Sequence, residues 1–583
     1  MLKTKIENLL KKAIRADSRF VSQLSASMVE VFAPENEGHG HYSTNIALRL
    51  AKPLKKNPLI IAEEIVKKLR LITHYSLLIT RTEIAPPGFI NFWLSQEALD
   101  GELKKILKLK ENYGSLDNWK NKKVMVEFTD PNPFKEFHIG HLYSNIIGEA
   151  LSKIFEANGA IAKRANYQGD VGLHVAKAIW GMKEKMKSGK MSLAQLEKRN
   201  LDYRLRFMGE AYAKGNRALE ENPRAKLEIT ELNKKIFLLD KEIKDLYKKG
   251  RKWSLEYFDR IYKRLGTKFD FYYFEREAGK AGFDLVKENI KKSIFIESEG
   301  AIVFPGEKYG LHRRVFINSE GLPTYEAKEL GLAPQKYKDF PYDLSVIITG
   351  NDIVDYFKVL ICALKQINPR IGKKTKHFAH GMVRLPSGKM SSRTGDVIRG
   401  EDLMNEVKKR VFKIVKSSKE VIAKDREKTA EIVAMGAIKY SLLKASLGSD
   451  TIFDFEKSLS LRGDSGPYIQ YTYARLKNIL RKAGTKPKKI DFQLLETETE
   501  KNVIRQLIYF PEVVMRAGER YETNIIADYL FKLANTLNAF YEKEPILKVK
   551  KPLRENRLNL IIAATIVLKN GLHLLGIESP ERM

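Results

Sequence analysis

A chain of 583 residues is too long for one hydrophobic core and implies three or four domains. Lys and Arg total 104 against 72 Asp and Glu, a net charge of +32, which suits a polyanionic partner or, more blandly, solvated lysine-rich faces. The single cysteine, Cys362, read as a core thiol in the apolar run VLICALK, excludes an internal disulfide and a cysteine-rich zinc site and fits a reducing cytoplasm.

Residues 2–15 carry apolar side chains at helical spacing: Leu2, Ile6, Leu9, Leu10 and Ile14. Glu7 and Asp17 argue against a transit peptide, so this is expected to be the first helix of a domain. A helical pattern over roughly 43–70 follows. After the Pro86-Pro87-Gly88 turn, FINFWL at 89–94 reads as a strand, and a Lys-rich helix near 98–110 leads out. Together these predict a small α+β unit over 1–115. KKVMVEFT, from Lys122, reads as a buried strand ending in a Pro-Asn-Pro turn. A helix from His141 to about Asn158 and the strand-like AIAKRANY come next. This βαβ order predicts a parallel sheet with crossover helices over 116–400, with later strands at 301–304, 314–317 and 344–349. The Lys- and Glu-rich stretch 182–265 interrupts it as a helical insertion, expected as a solvated hairpin, with an RNA-binding arm as the alternative. Residues 401–583 are almost wholly amphipathic helix, with linkers at 484–491 and 543–552. The longest apolar run, Leu558 to Leu568, is too short to span a membrane.

Two segments carry chemistry. Pro131 to His141 (PNPFKEFHIGH) lies between a predicted strand end and a helix start, where α/β sheets bind ligands. The helix N-terminus favours phosphate, two histidines can donate to it, and Gly140 leaves room for a flat base. A strand, turn and two chance histidines would look the same in four letters; the surrounding order argues otherwise. The second segment, Ser387 to Gly395 (SGKMSSRTG), is a small polar loop with cations that could close on a triphosphate. Alone it would be an ordinary basic loop.

Together these segments resemble the HIGH and KMSKS signatures of class I aminoacyl-tRNA synthetases. His138-Ile139-Gly140-His141 matches the first letter for letter. Lys389-Met390-Ser391-Ser392-Arg393 departs from the second, with Ser392 in place of its second lysine. The arginyl-tRNA synthetase family is similar in that respect and carries a lysine three residues before the first HIGH histidine, here Lys135. EFTDPNPFKEFHIGHLYSNIIGEAL, NYQGDVG, SGPYIQYTYAR, APPGFINFWL and the terminal GIESPERM also resemble that family.

The resemblance implies a multidomain α/β protein. Its parts are a Rossmann-like parallel-sheet catalytic domain, an N-terminal α+β domain that binds the tRNA D-loop, and a C-terminal all-α anticodon-binding domain. It implies ATP-dependent joining of L-arginine to tRNA(Arg) through arginyl-adenylate, in protein synthesis. ATP with Mg²⁺ is the co-substrate, no zinc or prosthetic group is expected, and bound tRNA is commonly required for activation. Lys135, His138, His141 and Lys389 would be catalytic. Pro131, His138, Gly140, His141, Lys389, Met390, Ser391 and Ser392 would bind ATP. Glu127, Asn132, His138, Tyr325 and Glu329 would bind arginine, with Glu329 replacing the more usual aspartate. A family glutamine is replaced by Ile353, so its contact would be lost or supplied by Asp352. Phe89 and Asn91, then Tyr468, Gln470, Tyr471 and Arg475, would bind tRNA; of the nearby tyrosines, which include Tyr473, at least one is expected to be core. A cytoplasmic monomer, with no membrane association and no resident metal, is expected. The rivals are a class I synthetase for another amino acid, which for cysteine the single thiol opposes, and a non-catalytic tRNA-binding paralogue, which His138, His141 and Lys389 oppose.

Overall fold

The computed structural model of the chain describes residues 1–17, 20, 29–386, 399–418, 420–484 and 491–583. The first helix spans Leu2–Arg15 and buries Leu2, Ile6, Leu10, Ala13 and Ile14 on one face. The pattern over 43–70 is not one helix. Strand β1 (Tyr42–Thr44) precedes the helix Ile46–Leu54; Lys55 then turns left-handed at φ 48°, and a new helix runs Pro58–Arg70. Asn57 starts it by accepting a hydrogen bond from Leu59 N–H, with proline at the first helical position. FINFWL is β3 (Phe89–Leu94), flanked by β1 and by β2 (Ile79–Ala85) in an antiparallel sheet. Ile90, Phe92 and Leu94 form its buried face.

The N-terminal unit rests on the helix Glu498–Arg520. Tyr42 Oη donates to Glu512 at 2.5 Å, Tyr509 Oη donates to the His41 carbonyl, and Arg505 donates to the Glu37 carbonyl at 3.0 Å. Helix Gln96–Leu109 leads out of this unit.

The central sheet has five parallel strands: β4 (Lys123–Glu127), β5 (Ile161–Gln168), β6 (Phe271–Phe274), β10 (Leu344–Gly350) and β11 (Thr375–His380). Val124, Met125 and Val126 are fully buried, as expected for a strand covered on both faces. The order β11-β10-β4-β5-β6 reverses direction at β4, so a crevice opens outside the carboxyl ends of β4 and β10. The expected strands 301–304 and 314–317 do not join this sheet. They are β8 (Ala301–Phe304) and β9 (Arg314–Ile317), which form a separate antiparallel sheet with β7 (Ile296–Ser298). Glu299 and Gly300, at φ 51° and 76°, make a two-residue hairpin that pairs β7 with its neighbour in sequence.

The insertion is not a solvated hairpin either. Helices Leu173–Ser188, Leu201–Glu221, Pro223–Leu238 and Lys244–Leu265 enclose a core of their own, including Ile179, Met182, Met208, Ile236 and Trp253. Helices Gly466–Ala483, Glu498–Arg520, Asn524–Lys543 and Lys551–Leu574 build the C-terminal part. Of the two expected linkers, 543–552 separates the last two of these helices, while most of 484–491 lies outside the described residues. Cys362 is half-buried, not a core thiol. Among the described residues no helix is long and apolar enough to cross a membrane.

Burial pushes the Glu512 carboxyl up to about 7. The folded chain therefore keeps a proton that the unfolded chain releases at the ordinary glutamate value. The stability from that proton is complete below this value and is lost as pH rises through about 7. Glu512→Gln keeps an acceptor for Tyr42 and should raise Tm more at pH 8 than at pH 4.5; equal shifts at both pH values would refute the buried-carboxyl account.

Candidate active site

β4 ends at Glu127, and residues 128–138 cross its carboxyl end before the helix Ile139–Ala157 begins. Three non-glycine residues of this crossing have positive φ: Thr129 at 79°, Asp130 at 43° and Phe134 at 67°. Such conformations cost energy and persist only where the surroundings impose them. Here Thr129 N–H donates to Ser144 Oγ at 2.9 Å, and Asn145 Nδ2 donates to Thr129 Oγ1 at 2.9 Å. Tyr167 N–H donates to Asp130 at 2.7 Å, and Phe134 N–H donates to Ser254 Oγ at 3.0 Å. Pro131 and Phe134 are buried, and Asn132 and Lys135 are partly exposed.

His138 is the N-cap of the helix. Its Nδ1 accepts from His141 N–H at 3.4 Å, and its own N–H donates to His141 Nδ1 at 3.2 Å. The rings stack with centroids 3.5 Å apart. Burial, reinforced by Lys135, pushes the His138 pKa down to about 4, and burial with His138 beside it holds His141 well below its usual value. Both rings are therefore neutral near pH 7. Because each Nδ1 accepts, each proton sits on Nε2, so the pair offers two N–H donors at a helix N-terminus. A Cβ on Gly140 would lie 3.1 Å from the His138 ring, so a larger residue there would press on that ring.

At the carboxyl ends of β4 and β6 lies a carboxylate-rich floor. Glu127 is 1% exposed and accepts from Lys336 Nζ at 2.5 Å. Glu275, also buried, accepts from Lys328 Nζ at 2.8 Å. Glu329 lies on the helix Tyr325–Asp339, four residues after Tyr325, whose ring is more than half exposed and carries the Lys328 ammonium 4.7 Å from its centre. Burial, then the charge of Glu127, pushes the Glu329 carboxyl well above its usual range, and the same two causes act on Asp130. Burial opposes the charge on Lys336, but Glu127 and its neighbours outweigh it and raise that pKa to about 12. The hydroxyl of Tyr167, which faces Glu275 and Glu329, is buried and has no hydrogen-bond partner among the described residues. Asn132 reaches the same place, its Oδ1 standing 2.2 Å from where a Cβ on Gly169 would be. Four carboxyl groups thus face two ammonium groups, and the imbalance suits a cationic ligand.

Sequence reasoning missed Lys328, Lys336, Asp130, Glu275, Tyr167 and His380. Lys336 falls seven residues after Glu329 on one helix face, a legible spacing, but a lysine there reads as surface. His380, at the end of β11, packs on Tyr143 with centroids 4.5 Å apart and lies close enough to influence both HIGH histidines. Asp352 is exposed and faces His138 and His380, beside the Ile353 departure.

Lys389, Met390, Ser391 and Ser392 lie outside the described residues. Directly after that segment, Arg399 pairs with Glu136 at 3.0 Å, and Gly400 N–H donates to the Phe137 carbonyl at 2.9 Å.

The expected tRNA residues divide. Phe89 is partly exposed; Asn91 is buried, its Oδ1 accepting from Ser43 Oγ at 2.8 Å, while among the described residues nothing engages its Nδ2. Tyr468, Tyr471 and Arg475 are partly exposed, and the Arg475 guanidinium lies between the rings of Tyr471 and Tyr541 at 4.8 and 5.0 Å. Tyr473 is the core member of the group. Gln470 is a correction: it is fully buried, and its Nε2 donates to the carbonyls of Ile432 and Glu578, so it has no face to present to RNA.

Three family descriptions match the chain: "Arginyl tRNA synthetase N terminal domain" over residues 1–94, "tRNA synthetases class I (R), catalytic domain" over 102–455, and "DALR anticodon binding domain" over 469–583. The arginine–tRNA ligase of Halothermothrix orenii is 31% identical over 98% of this chain and 99% of its own. That of Treponema denticola is 33% identical over 91% of each. The arginyl-tRNA synthetase of Thermus thermophilus superposes with a TM-score of 0.81 at 25% identity, covering 100% of both chains. With this site geometry and matches across all three parts of its length, the chain belongs to the arginyl-tRNA synthetase family and charges tRNA with arginine in translation.

Proposed function

We propose that the crevice outside β4 and β10 makes arginyl-adenylate and passes arginine to tRNA(Arg). The observation that carries this reading is the surplus of buried carboxyl groups at the carboxyl end of the sheet, together with two neutral histidines whose Nε2–H groups have no hydrogen-bond acceptor among the described residues. A guanidinium satisfies the first and a phosphate the second. Glu127, Asn132, Tyr325 and Glu329, with His138 at the boundary, hold arginine. Pro131, Gly140, His138 and His141 hold ATP, joined by Lys389, Met390, Ser391 and Ser392.

In the first step an oxygen of the arginine carboxylate bonds to the α-phosphorus as the bond to the bridging oxygen breaks and pyrophosphate leaves. A carboxylate is already ionised at neutral pH, so no general base is needed. The chain contributes position and charge: His138 and His141 donate to phosphate oxygens, and Lys135 and Lys389 offset the growing negative charge. The terminal adenosine hydroxyl of tRNA then attacks the arginyl carbonyl, and AMP leaves. Mg²⁺ enters as part of the ATP substrate; among the described residues no trio of His, Cys, Asp or Glu is placed to hold a metal ion. Arg475, Tyr468 and Tyr471 offer stacking faces to unpaired anticodon bases, and Phe89 with the Asn91 amide offers a second contact. The protein works as a cytoplasmic monomer, and bound tRNA is required for activation.

Of the twenty amino acids, only arginine should support pyrophosphate exchange, and only with tRNA present; exchange with another amino acid, or with none, would refute the assignment. Glu329→Gln should raise the arginine KM and leave the ATP KM near the parent value; equal rises would reject the guanidinium role. Lys336→Met leaves Glu127 buried without its cation, a loss of about 3–5 kcal/mol. The variant should melt lower and bind arginine more weakly. Adding Glu127→Gln should recover stability but not arginine affinity, and recovery of both would show that Glu127 does not touch the substrate.

A further inference from the structure

The helical insertion touches the strained turn at several points. Phe134 leaves the turn and enters the insertion's core, stacking on Tyr247 with ring centroids 6.1 Å apart. Gly250 makes room for it, since a Cβ there would stand 2.2 Å from the Phe134 ring. Ser254, on the same helix, accepts the Phe134 N–H. The next residue is Lys135, and two other insertion helices meet it. Tyr212, on Leu201–Glu221, places its ring 5.6 Å from the ammonium. Lys177, on Leu173–Ser188, stands near enough to repel that ammonium while donating to Asn216 at 2.8 Å.

Lys135 has a long, freely rotating stem, so a fixed backbone does not by itself fix its charge. Among the described residues no carboxylate pairs with it and the Tyr212 hydroxyl makes no hydrogen bond. What remains to orient the ammonium is attraction to the Tyr212 ring and repulsion from Lys177. Tyr212 is also near enough to Tyr325 for the two hydroxyls to influence each other.

We propose that Tyr212 is a positioning residue for the Lys135 ammonium, and that the helical insertion is thereby a working wall of the active site. This rests on Lys135 acting on the phosphates, as read above. A ring–cation contact costs the substrate nothing: the electron-rich face holds the ammonium in place without neutralising it, as a carboxylate would, so the full positive charge stays available to phosphate. The insertion supplies both constraints on this side chain, one attractive and one repulsive, while Phe134 fixes the backbone from which it grows.

The test is a double-mutant cycle in pyrophosphate exchange with saturating tRNA, using Tyr212→Leu, Tyr212→Phe, Lys135→Ala and the pair Tyr212→Leu/Lys135→Ala. Tyr212→Leu should lower kcat roughly three- to tenfold and leave the arginine KM unchanged. Tyr212→Phe, which keeps the ring, should retain the parent rate. In the Lys135→Ala background Tyr212→Leu should cause no further loss. Multiplying losses in the double variant, or equal losses in the Phe and Leu variants, would overturn the positioning role while leaving Lys135 intact. An unchanged kcat in Lys135→Ala would instead overturn the phosphate role of Lys135 and this proposal together. Melting temperatures of all four variants separate a folding defect from either outcome, and Tyr212→Phe preserves the packing if Tyr212→Leu does not fold.

Discussion

Four carboxyl groups gather at the carboxyl end of the parallel sheet, and among the described residues ammonium groups pair with two of them, so a surplus of carboxyl groups over cations organises this site. Glu127 and Glu275 are each tied to a lysine, Lys336 and Lys328. Among the described residues no ammonium pairs with Glu329 or Asp130, which burial and Glu127 hold toward the neutral form. Burying a carboxylate without a counter-charge is expensive, so a bound cation and the ionised forms of these groups favour each other. A planar guanidinium is the amino-acid side chain best able to supply that cation, because its fork of N–H groups can meet two acceptors at once.

The phosphate side is built on the opposite principle. His138 and His141 are kept neutral, with each Nδ1 spent on the helix backbone, so they give hydrogen bonds without adding charge that arginine would have to oppose. Positive charge comes from the half-buried Lys135. The strained turn is held in place by restraints from β5, from the helix Ile139–Ala157 and from the insertion. Strain of this kind places side chains that ordinary backbone could not aim.

How much of this the sequence discloses depends on how local the cause is. The β4–turn–helix unit is legible because its apolar run, its prolines and its two histidines are contiguous. β2 and β11 escape notice because ITRTEIA and TKHFAH lack a clean apolar alternation or run, and β6 because its aromatic run FYYF is only four residues long. The stretches 301–304 and 314–317 are extended, as expected, yet propensity says nothing about which sheet receives a strand; the Glu299-Gly300 turn decides that. Gln470 and Tyr473 show a similar limit, since aromatic and amide residues on an amphipathic helix give no sign of which face meets solvent. Lys336 has the right spacing from Glu329, but its role emerges only when β4 comes alongside. The insertion's core is likewise invisible in a Lys-rich stretch whose apolar residues find partners only across several helices and in Phe134.

The carboxyl surplus can be measured as protons. A guanidinium entering this pocket favours the ionised carboxylates and lowers their pKa values, so protons held by Glu329 and Asp130 must leave. Calorimetry of arginine binding to the tRNA-bound protein at pH 7, repeated in two buffers of different ionisation enthalpy, counts them directly. Net proton release on binding is the predicted result. Identical enthalpies in the two buffers, or net proton uptake, would contradict the claim that unpaired buried carboxyl groups select the substrate.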